Sequence, residues 1–509
     1  MPIAPMNLPF RLDWPPLINA LLPLIGEAEL YLVGGAVRDA ILRRPSHDLD
    51  LATPENGTYW ARLMANRLKG AYFPLDEERG VGRAIIEFQG ERYHLDVARF
   101  RGDSLEADLH GRDFTMNAIA VRLQGDMQMV LDPLDGVKDL MEKRLRRCAP
   151  DSIESDPIRA LRAIRQSVQF KLMIEPQTRA DLRMHGPKMI KTSAERLRDE
   201  FMTLLGGPRP NVALRTLDAL GLLAPIVPEV TAMRGVAQSA PHIYDVWEHT
   251  LNVVERLDSI LHTISPQRTD DSAADSAQGM IVYFLDRYRR GLQEHIGSAL
   301  SNGRSVRAML VLIALLHDCG KPQTKSVDAD GKIHFYKHEL LGAEMAEARA
   351  MALRLSNEEI GRITAAVRHH MRPMQLRMHG GAISRRAIYR YWKAVGLVTG
   401  LDVCLLTLAD YLGMVGAHLN TEDWMAHLQV VGALLDGYFN QREKVVAPPL
   451  FLNGQALMEL LNLSPGREVG RLLEALAEAQ AAGEVTDYEA ALALVRHLHT
   501  AQQNGASDT

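Results

Sequence analysis

Between about residues 28 and 135, short apolar runs of strand character, "LYLVGG", "DLDLA", "AIIEFQG" and "RYHLDVARF", alternate with segments of helical period, which predicts an α/β unit. In "DLDLA" the two-residue strand period sets Asp48 and Asp50 on one face and turns Leu49 and Leu51 toward a core. After about residue 156 the period lengthens. "DPIRALRAIRQSVQF" repeats Ile158, Leu161, Ile164 and Val168 at helical spacing, which predicts a helix with Asp156 as N-cap and Pro157 at its first position. Helical periodicity then continues almost to the C-terminus. The polar, small-residue stretch "SPQRTDDSAADSAQG" (265–279) reads as a mobile insertion, "VVAPPLFLNG" as a boundary and "QQNGASDT" as a frayed tail. The chain shows no repeat of fixed period.

A chain of 509 residues exceeds one hydrophobic core, and at roughly 150 residues per domain it predicts three or four. The net charge of −5 gives no overall basic field, so a nucleic-acid partner must be held by local cationic patches. Cys148, Cys319 and Cys404 are odd in number and far apart, which argues against a disulfide framework or a thiolate zinc site and fits a reducing, cytoplasmic setting. Apolar runs such as "AMLVLIALL" (308–316) are about half the length that spans a bilayer, and "MPIAPMNLPF" lacks a leader pattern, so neither a signal peptide nor a membrane partner is expected.

The stretch "YLVGGAVRDAILRRPSHDLDLAT" (31–53) carries the first chemistry. A strand turning at Gly34 and Gly35 brings backbone N–H groups close to an anion, and Arg38 can add positive charge, which together make a phosphate cradle. Asp48 and Asp50 on one strand face can hold one or two Mg²⁺ ions that bridge a triphosphate and activate a hydroxyl. Taken singly, each piece reads as an ordinary turn or a solvated strand end.

Several blocks in a set order carry more information. Gly34, Gly35, Val37, Arg38 and Asp39, then Asp48 and Asp50, then "RDFTMNAIA" (112–120) and "DPLDGVKDL" (132–140), resemble the class II tRNA nucleotidyltransferase and bacterial poly(A) polymerase family. "DPIRALRAIR" resembles that family's nucleotide-selecting block, "AERLRDEF" (194–201) its helical motif ending in a glutamate, and the segment from "LFLNGQALMELL" onward its RNA-binding tail. The resemblance implies an α+β multidomain chain. An N-terminal extension (1–27) would precede a polymerase-β-like nucleotidyltransferase head with a mixed sheet and helices (28–148). An all-α neck (149–230), an HD-type body (231–440), a tail (441–500) and a disordered end (501–509) would follow. It implies template-independent transfer of CMP and AMP from CTP and ATP to the 3′ end of tRNA or another RNA, with Asp48 and Asp50 as the Mg²⁺-binding pair. Arg112 and Asp113 would lie near the nucleotide's sugar and phosphates, and Asn117 would shape the site. Asp96, in "YHLDVARF", is either a third acid or a solvent-facing carboxylate.

Asp156 and Arg159, three residues apart, can share a helix face and present an acceptor beside a donor. Cytosine and adenine each offer an amino donor next to a ring-nitrogen acceptor, whereas uracil and guanine place a carbonyl there, so the pair can accept CTP and ATP and reject UTP and GTP. The same residues also read as a plain N-cap and an exposed arginine. Two departures from the family pattern bear on the product. Ser155 stands where an acid is usual, with Glu154 beside it, and Gly111 stands where the family has an arginine. The loop "RGDSLEADLHG" (101–111) is short, a feature associated in the family with enzymes that add only the two cytidines. Complete CCA addition is the first expectation, with CC-only addition and poly(A) synthesis as alternatives.

The helical half holds a second constellation. "LLHDCGKP" joins His317 to Asp318, with His249 before them and His338, His369, His370 and Asp410 after. The set resembles the HD phosphohydrolase superfamily. Imidazole nitrogen and carboxylate oxygen suit Mn, Fe, Ni, Zn or Mg, so the divalent metal stays unidentified. His249, His317, Asp318 and Asp410 would form one metal set, and His338 with His369 or His370 a second. An active centre of this kind would trim phosphate or cyclic phosphate from RNA ends; an inactive one would be scaffold. The alternative from a different class is a metal-dependent phosphohydrolase whose head only binds RNA. Cation clusters at "KRLRR" (143–147), at Arg162 and Arg165, and in "SRRAIYRYWK" (384–393) are candidate RNA contacts.

Overall fold

The computed structural model describes residues 3–266, 276–378, 382–416 and 418–505. They fall into two compact units, Met1–Glu200 with Thr216–Leu222, and Phe201–Arg215 with Leu223–Thr509. The residues expected to form a separate neck (149–230) are therefore divided between the two.

The first unit is built on an eight-stranded mixed sheet. Its strands are β1 (Pro5–Asn7), β2 (Tyr31–Val33), β3 (Asp48–Thr53), β4 (Ala71–Asp76), β5 (Val81–Phe88), β6 (Glu91–Arg99), β7 (Ala120–Arg122) and β8 (Met129–Leu131). Their order across the sheet is β1-β8-β7-β2-β3-β6-β5-β4. β3 and β6 run parallel with Asp50 opposite Asp96, whereas β2 runs antiparallel to β3 with Val33 opposite Asp50. The alternation read from the sequence holds: Leu49, Leu51, Leu95 and Val97 are buried, and the acids point to the other face. That face is covered farther along by an apolar cluster of Tyr31, Val33, Ala52, Phe100, Leu105 and Leu109.

The second unit is largely helical, as expected. Val306–Leu316 is buried along nearly its whole length and delivers His317 and Asp318 at its C-terminal end. Leu397–Val415 is long and apolar enough to cross a membrane by length and composition, and exceeds the apolar runs read from the sequence. Its residues from Thr399 to Gly413 are all buried within the unit, which is the situation of a central core helix. Leu452, Leu457, Leu472, Leu476, Val485 and Val495 form a separate core toward the C-terminus. Most of the insertion expected at 265–279 lies outside the described residues, and a helix begins at Ser276. The last helix runs Tyr488–Gly505, farther than the expected frayed end at 501–509, of which 506–509 lie outside the described residues.

Candidate active site and metal centre

The head site grows from strand register. Asp48 and Asp50 project from one face of β3, and the parallel pairing sets Asp96 beside Asp50 on that same face. Arg83, opposite Asp96 across the β5–β6 pair, donates to it from Nε and Nη2, one bond to each carboxylate oxygen at 2.7 Å. Burial raises the Asp50 carboxyl above its usual range; Arg112 opposes this, and the neighbouring Asp96 and Asp48 push it further up. Asp48, Asp50 and Asp96 thus line one face of the sheet, with both oxygens of Asp96 taken by Arg83 and the carboxylates of Asp48 and Asp50 left as oxygen donors of the type a hard divalent cation takes.

Gly34 closes the floor of this site. It has φ +69°, and a Cβ there would stand 2.9 Å from Arg112 Nη1 and 3.2 Å from Asp50 Oδ2. Any side chain would have to displace one of them, so Gly34, Asp50 and Arg112 converge on one point. The Gly34 N–H donates to Ile119 O at 3.2 Å, so the groups left for an anion are the first-turn N–H groups of the helix that starts at Gly35. Arg38 stands beside this cradle, its Nη2 3.5 Å from where a Gly35 Cβ would be, and is braced from the other side. It donates to Asn117 Oδ1 at 2.7 Å and Asp39 Oδ1 at 2.9 Å, with its guanidinium 4.2 Å above the Phe170 ring.

Asp113 points inward. Its Oδ1 accepts from the Phe114 N–H and from Asn117 Nδ2, and Oδ2 lies 3.1 Å from Arg162 Nε. Burial pushes this carboxyl up, but Arg162, Asn117, the Phe114 N–H and Arg159 outweigh it and leave the net shift downward. Asn117 is the joint of the region, since its amide also donates to Gln166 at 3.1 Å while its oxygen accepts from Arg38.

The base-selecting pair is arranged differently from its expected form. The helix starts at Arg159 and runs to Phe170, its N-cap is Ile158, and Asp156 sits in extended backbone at φ −143°. Asp156 is therefore not the N-cap: it closes the C-terminal end of the short helix Ser152–Ser155 and shares no helix with Arg159. Its Oδ2 accepts from Arg196 at 2.9 Å. Arg159 donates to Ser152 Oγ at 2.7 Å and to the carbonyls of Arg112 and Gly111 at 3.2 and 2.9 Å. Both side chains stay partly exposed, one on each side of a short turn. Glu154 is occupied by Lys188 at 3.1 Å and His185 at 3.4 Å.

The segment 101–111 is folded. Leu105–His110 is helical, with the Ala107 N–H donating to Ser104 Oγ. Asp108, not singled out by the sequence, is buried and accepts from the Arg101 N–H and from two nitrogens of Arg112. Its spacing of four from Arg112 was the available signal.

The cationic clusters are largely committed to acids of this chain. Arg144 and Arg146 converge on buried Asp139, Arg147 pairs with Asp181, Arg162 with Asp113, and Arg165 with Glu200. On the helix Arg385–Val395, Arg386, Arg390 and Lys393 meet Glu478, Glu484 and Glu474.

In the helical unit, Asp318 stands at the centre of a buried cluster. His249 and His317 approach its Oδ2 at 3.4 and 3.3 Å, and His338 and His370 approach its Oδ1 at 3.5 and 3.7 Å. Asp410 Oδ1 lies 3.1 Å from His249 Nε2. Gly320 permits this closeness, since a Cβ there would fall 2.3 Å from His338 O. The Nδ1 atoms of His317, His338 and His370 each lie 2.7–2.8 Å from the carbonyl three residues earlier, which assigns the proton to Nδ1 and turns the Nε2 lone pairs toward Asp318. Nε2 of His249 and of His317 is buried without a hydrogen-bond partner. Burial, with His338 and His317 adding, lowers His370 to about 3, so it is the neutral, ligating form at pH 7. Burial lowers His249 too, but the neighbouring carboxylates of Asp318 and Asp410 carry it to about 9. Two triads within ligating range, His249–His317–Asp318 and Asp318–His338–His370, fit a divalent metal. His369 is not among them: its Nδ1 accepts from Arg372 at 3.1 Å. Lys321, three residues past Asp318 and overlooked in the sequence, places Nζ 2.7 Å from its Oδ2.

Comparison with known proteins matches the segments that carry these two centres to known domains. Residues 30–146 match the poly(A) polymerase head domain, 171–234 the probable RNA and SrmB-binding site of polymerase A, and 246–414 the HD domain. The chain is 34% identical over 474 residues to the A-adding tRNA nucleotidyltransferase of Deinococcus radiodurans, covering 91% of this chain and 94% of that one. It is 30% identical over 501 residues to the CC-adding tRNA nucleotidyltransferase of Thermus thermophilus, covering 96% and 98%. In fold it is similar to a CCA-adding enzyme in its apo form, with a TM-score of 0.61 at 19% identity over 96% of this chain and 95% of the other. A Thermotoga maritima CCA-adding enzyme complexed with tRNA gives 0.56 at 20%, over 96% of each. Fold and sites thus define a nucleotidyltransferase with an HD domain. The chain belongs to the class II tRNA nucleotidyltransferase family.

Proposed function

We propose that this enzyme adds cytidine to the tRNA 3′ end and stops after CC. The observation that carries the reading is the segment 101–111. It is short, helical at Leu105–His110, and tied at both ends to the Asp108 carboxylate, an arrangement that leaves little slack for a moving loop. Two of the relatives, in Thermus thermophilus and Geobacter sulfurreducens, are CC-adding enzymes. Terminal A addition is the second reading, favoured by the Deinococcus relative, and complete CCA addition is the third.

In the chemistry we assign, Asp48 and Asp50, with Asp96 alongside, would hold Mg²⁺, which would supply activation of the RNA 3′ hydroxyl and neutralise the departing pyrophosphate. Gly34 lets the triphosphate approach the backbone, and Arg112 faces it. Asp156 and Arg159 read the amino and ring-nitrogen edge of cytosine from two sides of a turn, with Arg159 held by Ser152 and two carbonyls. Solved complexes of CCA-adding enzymes with tRNA, CTP and ATP support the choice of substrates. The HD cluster would bind a divalent metal and act on phosphate esters at RNA ends.

The test uses purified protein, Mg²⁺, each labelled NTP, and tRNAs ending at the discriminator base, at C or at CC. Incorporation of CMP on the first two and nothing on the third is expected. AMP on the CC-ending tRNA together with CMP on the shorter ones would establish complete CCA addition; AMP alone would establish the A-adding reading. Long A tracts would mean poly(A) synthesis, and phosphate release without any incorporation would make the head a binding module.

A further inference from the structure

Asp108 has a task that the reading above leaves open. Its side chain is 3% exposed. Oδ1 accepts the Arg101 N–H at 3.0 Å, while Oδ2 accepts from Arg112 Nε at 3.1 Å and Nη2 at 2.9 Å. Two of the three guanidinium nitrogens are thereby fixed. The third, Nη1, is the atom that crowds the missing Cβ of Gly34, with Asp50 Oδ2 next to the same point.

We propose that Asp108 is a positioning residue for nucleotidyl transfer: it holds the Arg112 fork so that Nη1 faces the triphosphate above Gly34, beside Asp50. The proposal rests on the assignment of Arg112 to the incoming nucleotide. An arginine free in solvent spreads over many rotamers, and binding must then order it; a buried carboxylate does the ordering during folding. The fork matters, because a planar guanidinium bound at Nε and Nη2 has the direction of Nη1 fixed, whereas a lysine ammonium on a rotatable stem does not orient its remaining donors in this way. The same carboxylate reaches back to residue 101 and forward to residue 112, so Asp108 itself ties the two ends of the segment together.

Steady-state kinetics on the full chain, with the NTP it incorporates best, would compare Asp108→Asn, Asp108→Ala, Arg112→Ala and the double Asp108→Ala/Arg112→Ala variant. Each single change should raise KM for the NTP about tenfold, the worth of one charge-assisted hydrogen bond, with kcat within about threefold and KM for tRNA unchanged. The double variant should be no worse than Arg112→Ala, because Asp108 acts only through it. Ser104→Ala removes the cap of the same helix and should lower Tm while leaving KM alone. Additive losses, a fall in kcat with KM unchanged, or the same KM shift from Ser104→Ala would overturn the proposal in favour of a purely structural role. If Arg112→Ala raises KM and the Asp108 variants do not, the role of Asp108 alone is lost. If Arg112→Ala itself is silent, the nucleotide assignment of Arg112 falls first and takes this proposal with it.

Discussion

Asp113→Asn asks whether the second residue of the "RD" pair faces substrate or interior. The side chain of Asp113 is 8% exposed and its partner Arg162 is 44% exposed. Breaking a fully buried ion pair costs about 3–5 kcal/mol. Water around Arg162 reduces that, and asparagine still accepts from the Phe114 N–H, so about 2 kcal/mol is expected, in the range of one charged hydrogen bond. In a unit of Met1–Glu200 with Thr216–Leu222, at about 2–4 °C per kcal/mol, this lowers Tm by about 4–8 °C. The pH dependence has a fixed sign. Because the folded carboxyl lies below its usual value, its stabilisation is fully present above an unfolded pKa of about 3.9 and is lost as pH falls through the lower folded value. The gap between wild type and variant should be flat from about pH 8 to 5 and close in more acid solution. Scanning calorimetry gives the Tm and parallel kinetics give KM. An unchanged Tm with a tenfold rise in KM for the NTP would refute the reasoning and put the carboxylate on the nucleotide.

Asp156→Ala frees Arg196 and removes the acceptor half of the base reader, so discrimination of CTP over UTP, taken from the ratio of kcat/KM, should fall at least about tenfold; an unchanged ratio would discard that role. Glu359 closes a capping box with Ser356 and accepts from Arg304 and Asn302. Burial alone would raise its carboxyl, but Arg304 and Ser356 bring it down to about 2. Glu359→Gln should therefore lower the Tm of the helical unit at neutral pH, with the difference vanishing between about pH 4 and 2; a difference that persists at pH 2 would contradict the charge-based account. Asp318→Asn takes away the group that four histidines face, so the protein should lose bound divalent metal by elemental analysis while CMP addition stays within about twofold. Retained metal would mean the cluster is not the site.

Local period was enough to place Asp48 and Asp50 on one face, and adjacency was enough to find His317 and Asp318. What lay beyond reach was direction and distant pairing. Asp113 was read as lying near the nucleotide because a charge in a motif has no visible orientation; it turns inward toward Arg162, and the bracing of Arg38 by Asn117 and Phe170 was equally invisible in the sequence. Asp156 resembled an N-cap until a carboxylate-to-arginine pairing spanning forty residues claimed it. His369 and His370 are indistinguishable as letters, but they follow one another at a helix end, where successive side chains diverge by about 100°. The basic stretch at 384–393 read as an RNA contact because the glutamates that meet it arrive from residues 474–484.

The parallel pairing of β3 with β6 limits how this chain can change in length. Asp96 reaches Asp50 only because each strand keeps count from its own end. One codon inserted between Glu91 and Leu95 would turn Asp96 into the apolar layer and set Leu95 among the acids, a change no substitution elsewhere could undo. The same codon at Gly90 or in 101–104 would leave that alignment whole. Insertions and deletions tolerated by active variants should therefore cluster at the ends of β6 and spare its interior, whatever substitutions the strand accepts.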